Sequence, residues 1–155
     1  MIHLLDFIKI VFMEPEQPKK RVLFLSKHNA TRSQMAEALL KDFSEGKIDA
    51  FSAGPEPTTI NDFAVLSLQE IGIDISHNHP KPIEFFAGQN FDVVVSLCAQ
   101  STEQCPTFLG GKQSLVWNFA NPADSGGSDE EKLRRFRDFR DALSQKIQAE
   151  LMHLR

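Results

Sequence analysis

RVLFLSKHNATRSQMAEALLKDF, residues 21–43, changes its period halfway along, and that change decides the fold. The run RVLFLS at 21–26 is continuously apolar through its centre, as a strand buried on both faces would be. From Ser33 onward Met35, Leu39 and Phe43 recur at i, i+4 and i+8 beside Ala36 and Leu40, which is the period of a helix. Between the two lies SKHNATRS, residues 26–33. A polar loop in that place can turn its backbone N–H groups inward, and the helix start adds positive potential, so the segment is a candidate anion cradle. Arg32 offers a planar fork for two oxygens, and Ser33 a hydroxyl beside it. The same residues also suit an ordinary strand-to-helix turn with a capping side chain.

Working outward, the first helix is expected to end near Glu45-Gly46, followed by a strand over Ile48–Ala53 closed by Gly54. Asn61 is a good N-cap for NDFAVLSLQEIG, with Gly72 as its stop. GIDISHNHPKPIEFFAG is broken by its polar run and two prolines, and reads as loop with one short helix around Ile83–Ala87. FDVVVSL at 91–97 is rich in branched and aromatic residues and reads as the third strand; SLVWNF at 114–119 reads as the fourth. Ser128 with Glu131 forms a capping box for a last helix marked by Leu133, Phe136, Phe139 or Arg140, Leu143, Ile147 and Leu151. Strands alternating with helices imply parallel crossovers. The expected fold is therefore α/β, a three-layer sandwich with a four-stranded parallel sheet and helices on both faces. Ligands bind such sheets outside the carboxyl ends of the strands. The segments found there are SKHNATRS, CAQSTEQC and ANPADSGG, at 26–33, 98–105 and 120–127.

Composition limits the classes of function. The chain has 155 residues, 41% hydrophobic and 25% charged, the balance of one globular domain. Seventeen Lys and Arg against 21 Asp and Glu are interspersed along it, which argues against a nucleic-acid footprint. Two cysteines are too few for a secreted disulfide framework, so a reducing, cytoplasmic compartment is expected. MIHLLDFIKIVF is interrupted by Asp6 and Lys9 and is too short to span a membrane, and it lacks a cleavage site. Residues 1–20 read as an N-terminal extension, either flexible, packed as an arm, or partly a mis-called start with Met13 as initiator; residues 21–155 read as the single domain. His77 and His79 lack a third ligand nearby, so no metal site is expected.

Several separate motifs carry a resemblance. VLFLSKHNATRSQMAEALL at 22–40, SAG at 52–54, GIDIS at 72–76, DVVVSLC at 92–98 and WNFANPA at 117–123 resemble, in order and spacing, the thioredoxin-coupled arsenate reductases of the low-molecular-weight phosphotyrosine phosphatase fold. The match covers about residues 21–150. The resemblance implies an oxyanion cradle over Ser26, Lys27, His28, Asn29, Ala30, Thr31, Arg32 and Ser33. In that family a cysteine thiolate is separated from the arginine by five residues; the aligned residue here is Ser26. The family's general acid lies in an Asp-Pro pair, and the aligned residue here is Asn121. Arg32 matches the oxyanion clamp, Asn29 the loop-shaping residue, and Ser33 the thiolate's hydrogen-bond partner. Cys98 and Cys105 match the pair that resolves the oxidised cysteine and ends as a disulfide reduced by thioredoxin. Ala123, where phosphatases carry an aromatic residue, and the absence of tyrosine favour the reductase branch. Some members hold a potassium ion under the loop with an acidic side chain; Lys81 stands at that position here, and its ammonium would replace the ion. No bound cofactor is expected, with thioredoxin as external reductant.

Chemistry says what the two substitutions mean. A cysteine at such a loop is a thiolate at neutral pH, whereas a serine hydroxyl stays protonated and needs a base. Serine also cannot supply electrons to arsenate, and Asn121 has no proton to give a leaving oxygen. The sequence leaves three readings open. The first is an arsenate reductase, active in arsenic detoxification, whose cysteine was mutated or lost. The second is a pseudoenzyme that binds phosphate, arsenate or a phosphoprotein. The third is a small redox protein that uses Cys98 and Cys105 alone. His28 as a base for Ser26 is disfavoured, because its side chain should point away from the cradle; Lys27 and His28 are either rim charges or plain surface.

Overall fold

A computed structural model of the chain describes residues 3–4 and 17–155. Most of the N-terminal extension, including the alternative start at Met13, lies outside the described residues. Among the described residues from 17 onward, four strands, β1 (Lys20–Leu25), β2 (Ile48–Ala53), β3 (Phe91–Cys98) and β4 (Gly111–Asn118), alternate with three helices, α1 (Arg32–Phe43), α2 (Asp62–Gln69) and α3 (Asp129–Glu150). Short 3-10 turns form at Ile83–Phe86, Pro122–Asp124 and Met152–Leu154. All strand pairs are parallel, in the order β2-β1-β3-β4. The α/β architecture anticipated from the alternating pattern is the one observed.

The period-2 alternation of β1 divides the core. Val22 and Phe24 face the layer that holds Met35, Leu39 and Leu40 of α1, Ala64 and Leu68 of α2, and Phe136, Leu143 and Ile147 of α3. Leu23 and Leu25 face the other side with Val94, where the one-turn helix at Ile83–Phe86 supplies Phe86 and Phe108 packs alongside. Phe51, Phe86, Phe91 and Phe108 meet there edge to face, with centroids 5.4–5.7 Å apart. Such pairings each add about 0.5–1.5 kcal/mol beyond the area they bury. Among the described residues no helix is long and apolar enough to cross a membrane.

Boundaries differ from the sequence reading in places with a physical cause. β4 starts at Gly111, three residues before the apolar run, because Gly111 and Gln113 pair with Phe91 and Val93. It is an edge strand whose polar first half is exposed, which a hydrophobic pattern cannot register. α1 stops at Phe43, where Ser44 caps it and the chain enters the left-handed region at Glu45 and Gly46 (φ 52° and 75°). The Asn61 cap forms as expected, its side chain accepting from the N–H groups of Phe63 and Ala64. The Ser128 capping box forms by half: Ser128 Oγ accepts from Glu131 N at 3.2 Å, and Glu131 Oε1 accepts from the Ser128 hydroxyl rather than from the Ser128 backbone N–H.

Parallel strands put all four carboxyl ends at one edge of the sheet. The chain runs from β1 to β2 on one side and then returns to β3 on the other, so the strand order reverses next to β1. The loop after β1 sits in that crevice.

Candidate functional site

Three segments converge at the crevice: the loop 26–31 after β1, the turn 99–105 after β3, and residues 119–121 after β4. Backbone carbonyls shape the first. Those of Lys27, His28 and Ala30 accept from the N–H groups of Glu56, Thr58 and Asn61. In a trans peptide the N–H points opposite to its C=O, so the amides of His28, Asn29 and Thr31 are turned to the concave side. This is the arrangement that binds anions. Gly54 backs the loop so closely that a Cβ there would lie 2.2 Å from the Ser26 carbonyl oxygen and 2.9 Å from Asn29 N.

Asn29 holds the tightest part of the turn. Its φ of 49° is left-handed, which asparagine tolerates better than most residues. Its Nδ2 donates to Ser33 Oγ at 2.7 Å, and its Oδ1 accepts from Gln34 Nε2 at 3.0 Å and from Lys81 N at 2.9 Å. Ser26, 2% exposed, is at the floor of the loop. Its Oγ is 2.6 Å from Ser33 Oγ and accepts from Ser33 N at 3.2 Å. Donors at the first turn of a helix, aimed at one buried atom, form a setting suited to negative charge.

Arg32 is 2% exposed, and its fork is already occupied. Nη1 and Nη2 donate to Glu103 Oε2 and Oε1 at 2.6 and 2.8 Å, and Nη1 also donates to the Phe119 carbonyl at 3.1 Å. The Arg32 guanidinium holds the Glu103 carboxyl below the usual carboxylate range. Glu103 Oε2 accepts in addition from Ala99 N at 2.7 Å, which ties the carboxylate back to its own turn. The sequence marks CAQSTEQC as a loaded segment without singling out Glu103. The available signal was a carboxylate between two cysteines on the edge that holds an arginine.

Cys98 and Cys105 are joined as a disulfide with Cα atoms 5.5 Å apart. Cys98 is buried at the end of β3, whereas Cys105 is half-buried and lines a cleft of about 480 Å³ with Lys27, Glu56, Ile83 and Glu103. The remaining candidates stand at the rim. Lys27 Nζ is 3.8 Å from Glu56 Oε2, and His28 Nδ1 bonds the Glu56 carbonyl at 3.0 Å, so neither side chain is directed at Ser26. Ala30 and Thr31 contribute backbone; Thr31 O accepts the first α1 bond, from Met35 N. Asn121 uses its side-chain oxygen to accept from Ala123 N at 3.1 Å, capping the short Pro122–Asp124 turn.

Under the loop, Glu37 accepts from Ser52 Oγ at 2.9 Å and from Lys41 Nζ at 3.0 Å. Burial depresses the Lys81 ammonium, with Glu37 acting against it. Lys81 holds the loop through its backbone: its N–H reaches Asn29, and its carbonyl accepts from Gly54 N.

Comparison with known proteins agrees with this geometry. The family model for low molecular weight phosphotyrosine protein phosphatase matches residues 21–151. An arsenate reductase of Halalkalibacterium halodurans is 40% identical over 129 residues, covering 83% of this chain and 93% of that protein. A glutaredoxin arsenate reductase of Synechocystis is 33% identical, covering 83% and 94%. A solved arsenate reductase, described as being in the phosphate binding state, superposes with a TM-score of 0.74 at 32% identity, covering 88% of this chain and 99% of that one. By the family model over residues 21–151 and the identity to these reductases, the chain belongs to the low molecular weight phosphotyrosine protein phosphatase family and, within it, to the arsenate reductase group.

Proposed function

We propose that this protein binds arsenate or phosphate weakly in the 26–33 loop and, with serine at position 26, turns neither over. The observation that carries the reading is the Ser26 hydroxyl, buried at the floor of the loop and bonded to Ser33 Oγ at 2.6 Å. The atom that would meet the oxyanion's centre is oxygen. A hydroxyl needs a general base, and the nearby imidazole of His28 is engaged by the Glu56 carbonyl. The position for a proton donor holds the Asn121 amide, which forfeits an effect typically worth about 10²–10⁴-fold.

Reducing arsenate to arsenite takes two electrons, which two thiols supply by becoming one disulfide. Reduced Cys98 and Cys105 hold such a pair, and an external dithiol would restore it by becoming a disulfide itself. Thioredoxin is the expected donor, acting in the cytoplasm; the name of the Synechocystis relative makes glutaredoxin a second one to assay. The half-buried Cys105 at the cleft is the sulfur such a donor would reach. The solved relative in a phosphate binding state supports the oxyanion assignment.

A binding role without chemistry is favoured by one pattern: both reacting positions are substituted, while Arg32, Asn29 and Ser33 remain. Its ligand would be phosphate, arsenate or a phosphorylated side chain. The test is calorimetric titration of the chain with arsenate and phosphate, alongside an arsenite assay with thioredoxin or glutaredoxin. We expect binding without arsenite. Arsenite produced by this chain would refute the reading, as would the absence of any anion binding in the reduced form.

A further inference from the structure

The site contains an anion of its own. Glu103 presents two oxygens to the two Nη atoms of Arg32, the same fork that an oxyanion would take. The carboxylate is 16% exposed and the guanidinium 2%, so the pair closes the crevice rather than decorating its rim. Nothing in β1 or α1 brings Glu103 there, since it lies 71 positions along the chain from Arg32. What places it is the turn between Cys98 and Cys105. The disulfide closes that turn into a small ring, Glu103 N donates to the Ala99 carbonyl at 2.9 Å, and Ala99 N donates back to Glu103 Oε2.

We infer that Glu103 is an internal competitor for the oxyanion, seated on Arg32 by the Cys98–Cys105 disulfide, so that the oxidised chain keeps its own cradle shut. An incoming phosphate or arsenate must first displace a carboxylate that cannot diffuse away. Reduction opens the device. One thiolate of an added dithiol attacks a disulfide sulfur, its second thiol releases the other, and the dithiol ends as a cyclic disulfide while Cys98 and Cys105 end as thiols. The turn is then no longer a closed ring, and Glu103 loses the constraint that holds it on Arg32. The site thereby admits anion in the redox state able to deliver electrons and excludes it in the spent state.

The inference rests on the oxyanion reading proposed above, and the experiment separates the two. Inorganic phosphate is titrated calorimetrically into the parent chain, Glu103→Gln and Glu103→Ala, each oxidised and each reduced with dithiothreitol, with free thiols counted. If Glu103 holds the clamp about nine-tenths of the time, apparent affinity falls about tenfold. The oxidised parent is therefore expected to bind about tenfold more weakly than either oxidised variant. Reduction should bring the parent to within about threefold of the variants and leave the variants nearly unmoved. Equal affinities in the oxidised parent and variants would overturn the inference while leaving the oxyanion site standing. A gap that persists after reduction would overturn the role of the disulfide. No phosphate binding by any chain in either state would remove the oxyanion site, and the inference with it.

Discussion

Gly54 sets how close two backbones can come beneath the cradle. The three atoms nearest to a Cβ there all belong to the backbone of the 26–29 loop, the closest at 2.2 Å, so no side-chain rotation relieves the contact. Gly54→Ala is expected to destabilise the fold by about 1–3 kcal/mol through overpacking. It should also weaken phosphate binding by about tenfold or more, because a loop displaced by a fraction of an ångström no longer aims its amides at one point. Urea unfolding and phosphate titration read the two effects, and a variant matching the parent in both would contradict the contact. At this scale the sequence was legible where function follows from residue type in a local segment. Ser26, Asn29 and Ser33 are joined by hydrogen bonds in one local segment, while Arg32 turns its guanidinium to Glu103 and the Phe119 carbonyl. Glu103 was not legible, because its partner lies 71 residues away and no local pattern encodes that pairing.

Single ties between the elements hold the sheet in register. Arg21 N, at the start of β1, donates to Asp92 Oδ2 on β3 at 2.8 Å, and Lys112 on β4 stands 3.4 Å from Asp92 Oδ1. Arg21's backbone bond, with Lys112's help, holds the Asp92 carboxyl below the usual carboxylate range. A carboxyl depressed in the folded state stabilises the fold above its unfolded pKa, and that stabilisation is lost as pH falls through the folded value. Asp92→Asn should therefore cost about 1–2 kcal/mol near neutral pH, the scale of a hydrogen bond to a charged group. As pH falls through and below the ordinary carboxylate range the variant should lose less stability than the parent. Urea titrations across that range check this, and superimposable acid limbs would contradict it. Element boundaries were legible where capping chemistry is local, as at Asn61. They were not legible at Gly111–Gln113, where pairing with β3 rather than apolar content makes the strand.

For the whole molecule, the alternation of strand and helix sufficed to anticipate a parallel sheet with its loaded loops on one edge. The strand order and the thinness of the second layer came only from the structure, since Phe86 and Phe108 are brought under the sheet by long-range aromatic packing. The disulfide runs from Cys98, buried at the end of β3, to the half-buried Cys105 at the carboxyl edge. Closing a turn this short stabilises the folded chain by about 2–3 kcal/mol on a chain-entropy account, against totals of about 5–15 kcal/mol for a domain. The reduced protein should therefore stay folded. Trp117, the chain's one tryptophan, is buried against Phe24 with ring centroids 6.1 Å apart and reports on the core. Dithiothreitol is expected to leave its native fluorescence in place while lowering the urea midpoint. Loss of the native signal on reduction alone would mean that the disulfide staples the fold, and that the turn cannot open locally.

Of the two substituted positions, Ser26 is proposed to be the one that stops the chemistry of the group, with the Asn121 amide slowing it further. The donors around the Ser26 oxygen are in place, so Ser26→Cys should give a thiolate with a pKa well below the ordinary value of about 8.5. Thioredoxin-coupled arsenate reduction by the parent and by Ser26→Cys, measured side by side, tests the claim most directly. Turnover in the substituted chain alone is the predicted result, and it would mean that Cys98 and Cys105 complete the electron path and that Asn121 is tolerated. Turnover in the parent, or silence from a folded, arsenate-binding Ser26→Cys chain, would contradict it.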